Sequence, residues 1–405
     1  MNVKAAIVAG GKGTRMSEIN SEVPKPMIKI CGKPILEYQI DCLKSQGITD
    51  ITLIVAHLGR AVKDYFGDGG RFGSRIGYIT EGKPLGTAGA IYLLKDLFTD
   101  DFLFINGDLL FDIDIKRFMD FHKSAGRIAT LLTHPNNHPI DSAIVVTDGS
   151  GAVTGILNKE DKRGWCKNRV NAGLHILSPK IFEFFEEPKY MDFDRDVLPK
   201  LILLGEVGAY DSPEYIKDVG TPERYRQAAD DVKNGIVRAK SLLNRQPALF
   251  LDRDGTINRY AGFLTDIDDF ELNGGIASII KEANLSGKIV IVVTNQPAIA
   301  RGDLTWEQLG EIHNKMETLL GEQGAYVDDI FVCPHHPDKG FENERAEYKI
   351  DCGCRKPKPG LILQAAEKHN IDLSRSLLIG DSEADMEAAK SAGCEGRLIE
   401  DFLHL

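Results

Sequence analysis

A chain of 405 residues exceeds what one ordinary hydrophobic core supports, so two domains are expected, with three as the upper bound. Hydrophobic residues at 42% and charged residues at 27% describe a soluble globular protein, and no apolar run reaches the roughly 20 residues that span a bilayer. A formal net charge of −11 argues against nucleic acid as a partner but leaves small phosphorylated ligands open, since those need only local cations.

Met1-Asn2-Val3-Lys4 leads straight into an apolar run without an export signal, so a cytoplasmic location with no membrane association is expected. Ala5 to Ala9 reads as a strand, followed by the loop Gly10-Gly11-Lys12-Gly13-Thr14-Arg15. Pro34 opens a helix whose Leu36, Ile40 and Leu43 recur at helical spacing, with Gly47 as its cap. A strand at 51–56, a helix through 88–97, a strand at 102–106, a helix through 118–124 and a strand at 128–133 follow. Such alternation predicts a mostly parallel or mixed sheet with helices on both faces. Between 142 and 157 the turn Asp148-Gly149-Ser150-Gly151 predicts a hairpin that interrupts the winding.

The first domain is expected over 1–228, a polar helical linker over 229–246, and a second domain over 247–405. The second alternating series begins at Ala248 and runs through a strand at 289–294. It continues with a helix opened by the capping box Thr305/Gln308, strands at 330–332 and 376–379, and a helix at 383–392. The fold class is therefore α/β with two doubly wound domains.

The first loop, in a strand–loop–helix setting, has the geometry that cradles phosphate on backbone N–H groups. It lacks the Lys-Ser/Thr of a Walker A loop, and Met16 stands at the third glycine of a Rossmann fingerprint. Lys12 and Arg15 suit a polyphosphate, and Lys25 sits on the stiff segment Val23-Pro24-Lys25-Pro26. Gly-Gly-x-Gly-Thr-Arg followed by Pro-Lys-Pro resembles the sugar nucleotidyltransferase family over essentially 1–228, which implies a Rossmann-like mixed sheet. The resemblance extends to Glu81 with Pro84-Leu85-Gly86-Thr87-Ala88-Gly89, which in the family meets the base and sugar, and to Asn171-Ala172-Gly173. It implies Mg²⁺ on Asp108 and Asp218, catalytic roles for Arg15 and Lys25, and a nucleotide and sugar site built from Gly10, Gly11, Gly13, Thr14, Glu81, Gly86, Thr87, Lys159, Asn171 and Gly173. Asn158-Lys159 departs from the family's usual Glu-Lys, which removes that glutamate's sugar contact while Lys159 keeps a phosphate role. In-line attack of a sugar 1-phosphate on an NTP α-phosphate needs alignment and charge neutralisation more than proton transfer.

In the second domain the apolar run 248–251 ends at Asp252-Arg253-Asp254-Gly255-Thr256, two carboxylates at i and i+2 converging on one place as the strand breaks. Together with Thr294-Asn295, Lys356, and Gly380-Asp381 with Asp385, this resembles the four motifs of haloacid-dehalogenase (HAD) phosphatases, each at the carboxyl end of a strand or just beyond. The resemblance implies a parallel HAD-like sheet, with Asp252 as nucleophile and Asp254 as general acid and then base. Thr294, Asn295, Arg355 and Lys356 are expected on the phosphoryl oxygens, and Mg²⁺ on Asp252, Asp381 and the backbone carbonyl of Asp254.

Three of the seven cysteines cluster late, which suits metal rather than disulfides. Cys333 with His335, then Cys352 with Cys354, supplies four ligands for a closed structural Zn²⁺ site, His335 being preferred to His336 because its i+2 spacing mirrors the second pair. Such a staple suits the polar stretch 337–351, which has too few apolar residues to pack itself. The arrangement resembles the D-glycero-D-manno-heptose 1,7-bisphosphate phosphatases and their histidinol-phosphatase relatives. Pro297-Ala298 and Ser382 depart from that subgroup's usual Ser-Gly and lysine. The two resemblances together imply a bifunctional enzyme of nucleotide-activated heptose synthesis acting on small-molecule substrates, NTP and sugar phosphates. One domain removes the 7-phosphate of heptose 1,7-bisphosphate, and the other transfers a nucleotidyl group, GMP from GTP, to the heptose 1-phosphate. Two alternatives stay open: another sugar 1-phosphate with a different phosphatase substrate, or a nucleotide-sensing domain that regulates the phosphatase.

Overall fold

The computed structural model describes residues 3–10, 23–56 and 58–403. Gly11, Lys12, Gly13, Thr14 and Arg15 lie outside these described residues. By contact the chain divides into two compact units: 1–133, 145–156 and 171–241, and then 134–144, 157–170 and 242–405.

The first unit is built on a nine-stranded mixed sheet among the described residues. Its centre is parallel: Ala5–Val8 lies between Asp50–Val55 and Phe102–Asn106, and Asp50–Val55 pairs in turn with Arg75–Thr80. Val170–Leu177 then runs antiparallel to Phe102–Asn106. Strand alternation sorts the core onto two faces. Ala5, Ile7, Ile51, Leu53, Leu103 and Ile105 pack with Leu36, Ile40 and Leu43 of the helix Ile35–Ser45. Ala6, Ile54, Phe102 and Phe104 pack on the opposite face with Ala88, Ala90 and Ile91 of the helix Gly86–Tyr92. That helix stops short of the expected Leu97, because beyond Tyr92 the backbone tightens into i→i+3 turns from Leu93 to Lys95. The 142–157 hairpin forms as Ile144–Thr147 and Val153–Leu157, adjacent in the sheet.

His175 is a stability liability in this core. It is 4% exposed, its ring centre lies 5.0 Å from that of Phe193 in a tilted arrangement, and burial pushes its pKa down to about 3. The folded chain keeps it neutral, whereas the unfolded chain protonates it below about 6.5, so stability is lost as pH falls from about 6.5 toward the folded value. The loss at pH 5 is roughly 2 kcal/mol. Melting followed against pH is expected to drop less between pH 7 and 5 in His175→Leu than in the unmodified chain.

The stretch expected as a linker, 229–246, is not one. Pro222–Lys233 and Ile236–Ala239 are two helices separated at Gly235, whose φ of 73° breaks the run, and both pack within the first unit through Ala228, Val232, Ile236 and Val237. The division falls at Ser241/Leu242 instead.

The second unit holds a five-stranded parallel sheet in the order Asp329–Cys333, Ile289–Asn295, Ala248–Leu251, Leu377–Gly380, Glu395–Leu398. Both faces are covered, which is why Ile289 to Val293 reads as unbroken Val and Ile: Val290 and Val292 face one cluster, Ile289, Ile291 and Val293 the other. The capping box at Thr305 and Gln308 forms and opens the helix Trp306–Glu322.

Within this unit, segment 157–170 is held by buried polar contacts. Arg169 pairs with Glu317 at 3.2 Å and donates to the Asp328 carbonyl at 2.8 Å, while the Asn168 N–H donates to Glu317 at 2.9 Å. Such pairings across long sequence separations leave no periodicity to read, so the expected boundaries missed them. No helix among the described residues is long and apolar enough to cross a membrane.

Candidate active sites

In the second unit Asp252 follows the central strand Ala248–Leu251, and its N–H is fixed by the Ile379 carbonyl at 3.0 Å. Lys356 places its ammonium 2.7 Å from Asp252 Oδ1 and 2.6 Å from Asp385 Oδ1. Burial pushes the Asp252 carboxyl up to about 6 against the pull of Lys356. Burial works to lower the Lys356 pKa, but the two carboxylates outweigh it and hold the ammonium charged. Asp385 is itself oriented by the N–H and hydroxyl of Ser382 in a capping box on the helix Glu383–Ala392.

Oxygens of Asp252, Asp381 and Asp385 lie within 4.8 Å of one another, a donor set of hard oxygens suited to Mg²⁺. Gly255, at φ 87°, lets the chain turn beneath this cluster: a Cβ there would lie 1.9 Å from Asp381 Oδ2. The Asp254 carboxylate accepts from Arg253, Gln296 and Asn258.

Thr294 is buried and accepts from Gln296 Nε2 at 2.8 Å. The Asn295 amide donates to the Lys356 carbonyl and accepts from the Lys356 N–H, both at 3.1 Å, so both ends hold Lys356 in place. Arg355 donates to the His335 carbonyl at 3.2 Å, which ties it to the cysteine loop.

The Sγ atoms of Cys333, Cys352 and Cys354 stand 3.2–3.5 Å apart, and His335 Nδ1 lies 3.4 Å from Cys354 and 3.6 Å from Cys333. A tetrahedral ion with bonds of about 2.3 Å to sulfur has edges near ~3.7 Å, so these four groups fit one. His336 is used otherwise: its Nδ1 accepts from the Asp338 N–H at 3.2 Å.

In the first unit, Asp108 and Asp218 are brought together by an antiparallel pair, Leu109–Asp112 with Tyr215–Asp218, where Asp218 lies opposite Leu109. Both face Lys25, whose ammonium bonds Asp108 and stands 3.5 Å from Asp218. Arg224 pairs with the other Asp218 oxygen at 2.8 Å. Gly220 permits this approach, since a Cβ there would lie 2.6 Å from Asp218 Oδ1.

Glu81 accepts from the Leu85 N–H at 3.2 Å, and burial raises its pKa. A Cβ at Gly10 would lie 3.0 Å from Glu81, and one at Gly86 only 2.3 Å from the Met191 carbonyl. Thr87 accepts from the Phe193 N–H at 2.8 Å. Asn171 accepts from the Gly173 N–H and donates to Asp194 at 3.0 Å. Lys159 belongs to segment 157–170 of the second unit, where it is exposed and 3.8 Å from Glu160.

Sequence reasoning assigns no role to Arg224, Arg253, Gln296 or the Asp385–Lys356 pairing. The one legible hint is Arg253, a charge enclosed between two aspartates at the end of an apolar strand.

Over residues 4–235 the chain matches the profile of the nucleotidyl transferase family, and over 353–401 that of the HAD-hydrolase-like family. A UTP–glucose-1-phosphate uridylyltransferase of Synechocystis sp. is 33% identical over 214 residues, 49% of this chain and 55% of that relative, so the match spans little more than half of that protein. A D-glycero-β-D-manno-heptose-1,7-bisphosphate 7-phosphatase of Yersinia pestis is 42% identical over 153 residues, 38% of this chain and 79% of the relative. The solved structure of HddC from Yersinia pseudotuberculosis complexed with GMP-PN is 30% identical, with a TM-score of 0.50, covering 57% of this chain and 99% of that one.

Proposed function

Because the chain belongs to the nucleotidyl transferase family through residues 4–235 and to the heptose-1,7-bisphosphate 7-phosphatases through its C-terminal unit, we propose that it is a bifunctional enzyme of nucleotide-activated heptose synthesis. The C-terminal site removes the 7-phosphate of D-glycero-D-manno-heptose 1,7-bisphosphate. The N-terminal site transfers a nucleotidyl group, GMP from GTP, to the heptose 1-phosphate so formed. The observation that carries this reading is the presence in one chain of both carboxylate–lysine sets, Asp252 with Lys356 and Asp108 with Lys25. GTP is favoured by the GMP-PN bound to the related HddC.

In the phosphatase, Asp252 attacks the 7-phosphorus and becomes an aspartyl phosphate as the C7–oxygen leaving group takes a proton from Asp254. Asp254 then draws a proton from the water that releases inorganic phosphate. Lys356, held by Asn295, stabilises the phosphoryl oxygens with Thr294 and Arg355. In the transferase an oxygen of the sugar 1-phosphate attacks the α-phosphorus and pyrophosphate leaves, with Arg15 and Lys25 steadying its charge and Glu81, Gly86, Thr87, Asn171 and Gly173 placing base and sugar. Asp252, Asp381 and the Asp254 carbonyl in one site, and Asp108 and Asp218 in the other, would hold Mg²⁺, which would supply neutralisation of phosphate charge.

The four-ligand cluster at Cys333, His335, Cys352 and Cys354 would hold a structural Zn²⁺. Elemental analysis is expected to find about one zinc per chain, as a closed four-ligand site requires. Cys354→Ser is expected to lose it and to become cleavable by protease within 334–353, with pyrophosphate release retained. Zinc retention in that variant contradicts the assignment. The reading as a whole is tested by an NTP panel with heptose 1-phosphate: pyrophosphate release greatest with GTP supports it, and none with any NTP ends it.

A further inference from the structure

We propose that Arg253 is a positioning residue of the phosphatase, fixing the Asp254 carboxylate in the orientation from which it exchanges a proton with the leaving oxygen. This rests on the phosphatase function proposed for the C-terminal unit. The Arg253 side chain is 0% exposed, so it reaches no substrate; everything it does passes through its neighbours. Its Nη2 lies 2.9 Å from each Asp254 oxygen and its Nε 3.1 Å from Oδ1. Gln296 at 2.7 Å and Asn258 at 3.2 Å add further donors, leaving the carboxylate little rotational freedom.

Arg253 is itself fixed from two sides. Its carbonyl accepts from the N–H groups of Thr256, Ile257 and Asn258 at 3.3, 2.8 and 3.0 Å. Its Nη1 meets His313 Nε2 at 3.3 Å, from the helix Trp306–Glu322. Burial and the Arg253 charge both hold that imidazole neutral, so its nitrogen can accept. A guanidinium withdrawn from water is costly unless its partners are held well, and a planar fork that spans both carboxylate oxygens fixes direction as an ammonium cannot.

The leaving group supplies the test. A sugar alkoxide needs a proton to depart, whereas p-nitrophenolate does not. In full-length Arg253→Lys, kcat/KM is expected to fall roughly 10²-fold for heptose 1,7-bisphosphate, the size of effect a displaced general acid produces. For p-nitrophenyl phosphate it is expected to fall less than about fivefold. Both are read on one preparation, so the folded fraction cancels in their ratio. A fall by the same factor for both esters, or no fall, overturns the proposal. Should Arg253→Lys not fold, His313→Leu, which removes only the far support of the guanidinium, is expected to shift the ratio in the same direction by at least about threefold; an unchanged ratio there overturns it. An unmodified chain that hydrolyses neither ester overturns the phosphatase reading, and this proposal with it. An active unmodified chain with an unmoved ratio overturns the proposal alone.

Discussion

Replacing Asp252 with asparagine is expected to reduce phosphate release from heptose 1,7-bisphosphate by at least about 10⁴-fold, the scale on which nucleophile removal acts. Pyrophosphate release from GTP and supplied heptose 1-phosphate should stay within about twofold of the unmodified chain, since surface and core features of the other unit are untouched. The amide keeps the shape of the buried carboxylate beside Lys356, and the backbone bond from the Asp252 N–H to the Ile379 carbonyl is untouched, so folding is preserved while the attacking carboxylate is lost. An amide cannot form the aspartyl phosphate, and Asp385 is already bound by Lys356 and Ser382. Trapping with acid after brief mixing should recover phosphorylated protein from the unmodified chain and none from Asp252→Asn. Phosphoprotein in the variant contradicts the assigned nucleophile, and loss of both activities contradicts two separate sites.

Asp108→Asn is expected to act in the opposite sense, lowering nucleotidyl transfer by about 10²–10³-fold, the range seen when one group stabilising transition-state charge is removed. Phosphate release should be unchanged. Asp108 and Asp218 share the Lys25 ammonium, and the antiparallel pairing at Leu109 fixes the distance between them. Neutralising one of them leaves Lys25 with a single close anion and, on the proposed Mg²⁺ site, would leave the ion a single carboxylate ligand, so KM for Mg²⁺·GTP should rise together with the fall in kcat. A fall in phosphate release of the same size would instead signal general misfolding.

The α/β class was legible because the apolar runs of its strands are visible in sequence, and Asp252, Thr294 and Asp381 stand at or just past the ends of such runs. Ile289 to Val293 could be read as a strand covered on both faces, and Asp252 as its neighbour's terminus. The parallel order of the five strands places Asp252, Thr294 and Asp381 at one sheet end, as the spacing implied. What escaped were groups whose partners lie far off in sequence. Asn295 could not be seen to grip the Lys356 backbone across 61 residues, nor Arg169 to meet Glu317 across 148. The helices beyond Pro222 look like a linker because their composition is polar; only the burial of Ala228 beside Val232, Ile236 and Val237 shows that they belong to the first core. The preference for His335 over His336 rests on two-residue symmetry, and the Nδ1 of His336 accepts from the Asp338 N–H.

The most direct measurement is a single incubation of the full chain with D-glycero-D-manno-heptose 1,7-bisphosphate, GTP and Mg²⁺, followed by ³¹P NMR. Loss of the 7-phosphate resonance should come first, with inorganic phosphate appearing, and the diphosphate signal of GDP-heptose should then rise with pyrophosphate. Release of the 1-phosphate, or inorganic phosphate without any nucleotide sugar, would contradict a chain that spares the anomeric phosphate in one site in order to use it in the other.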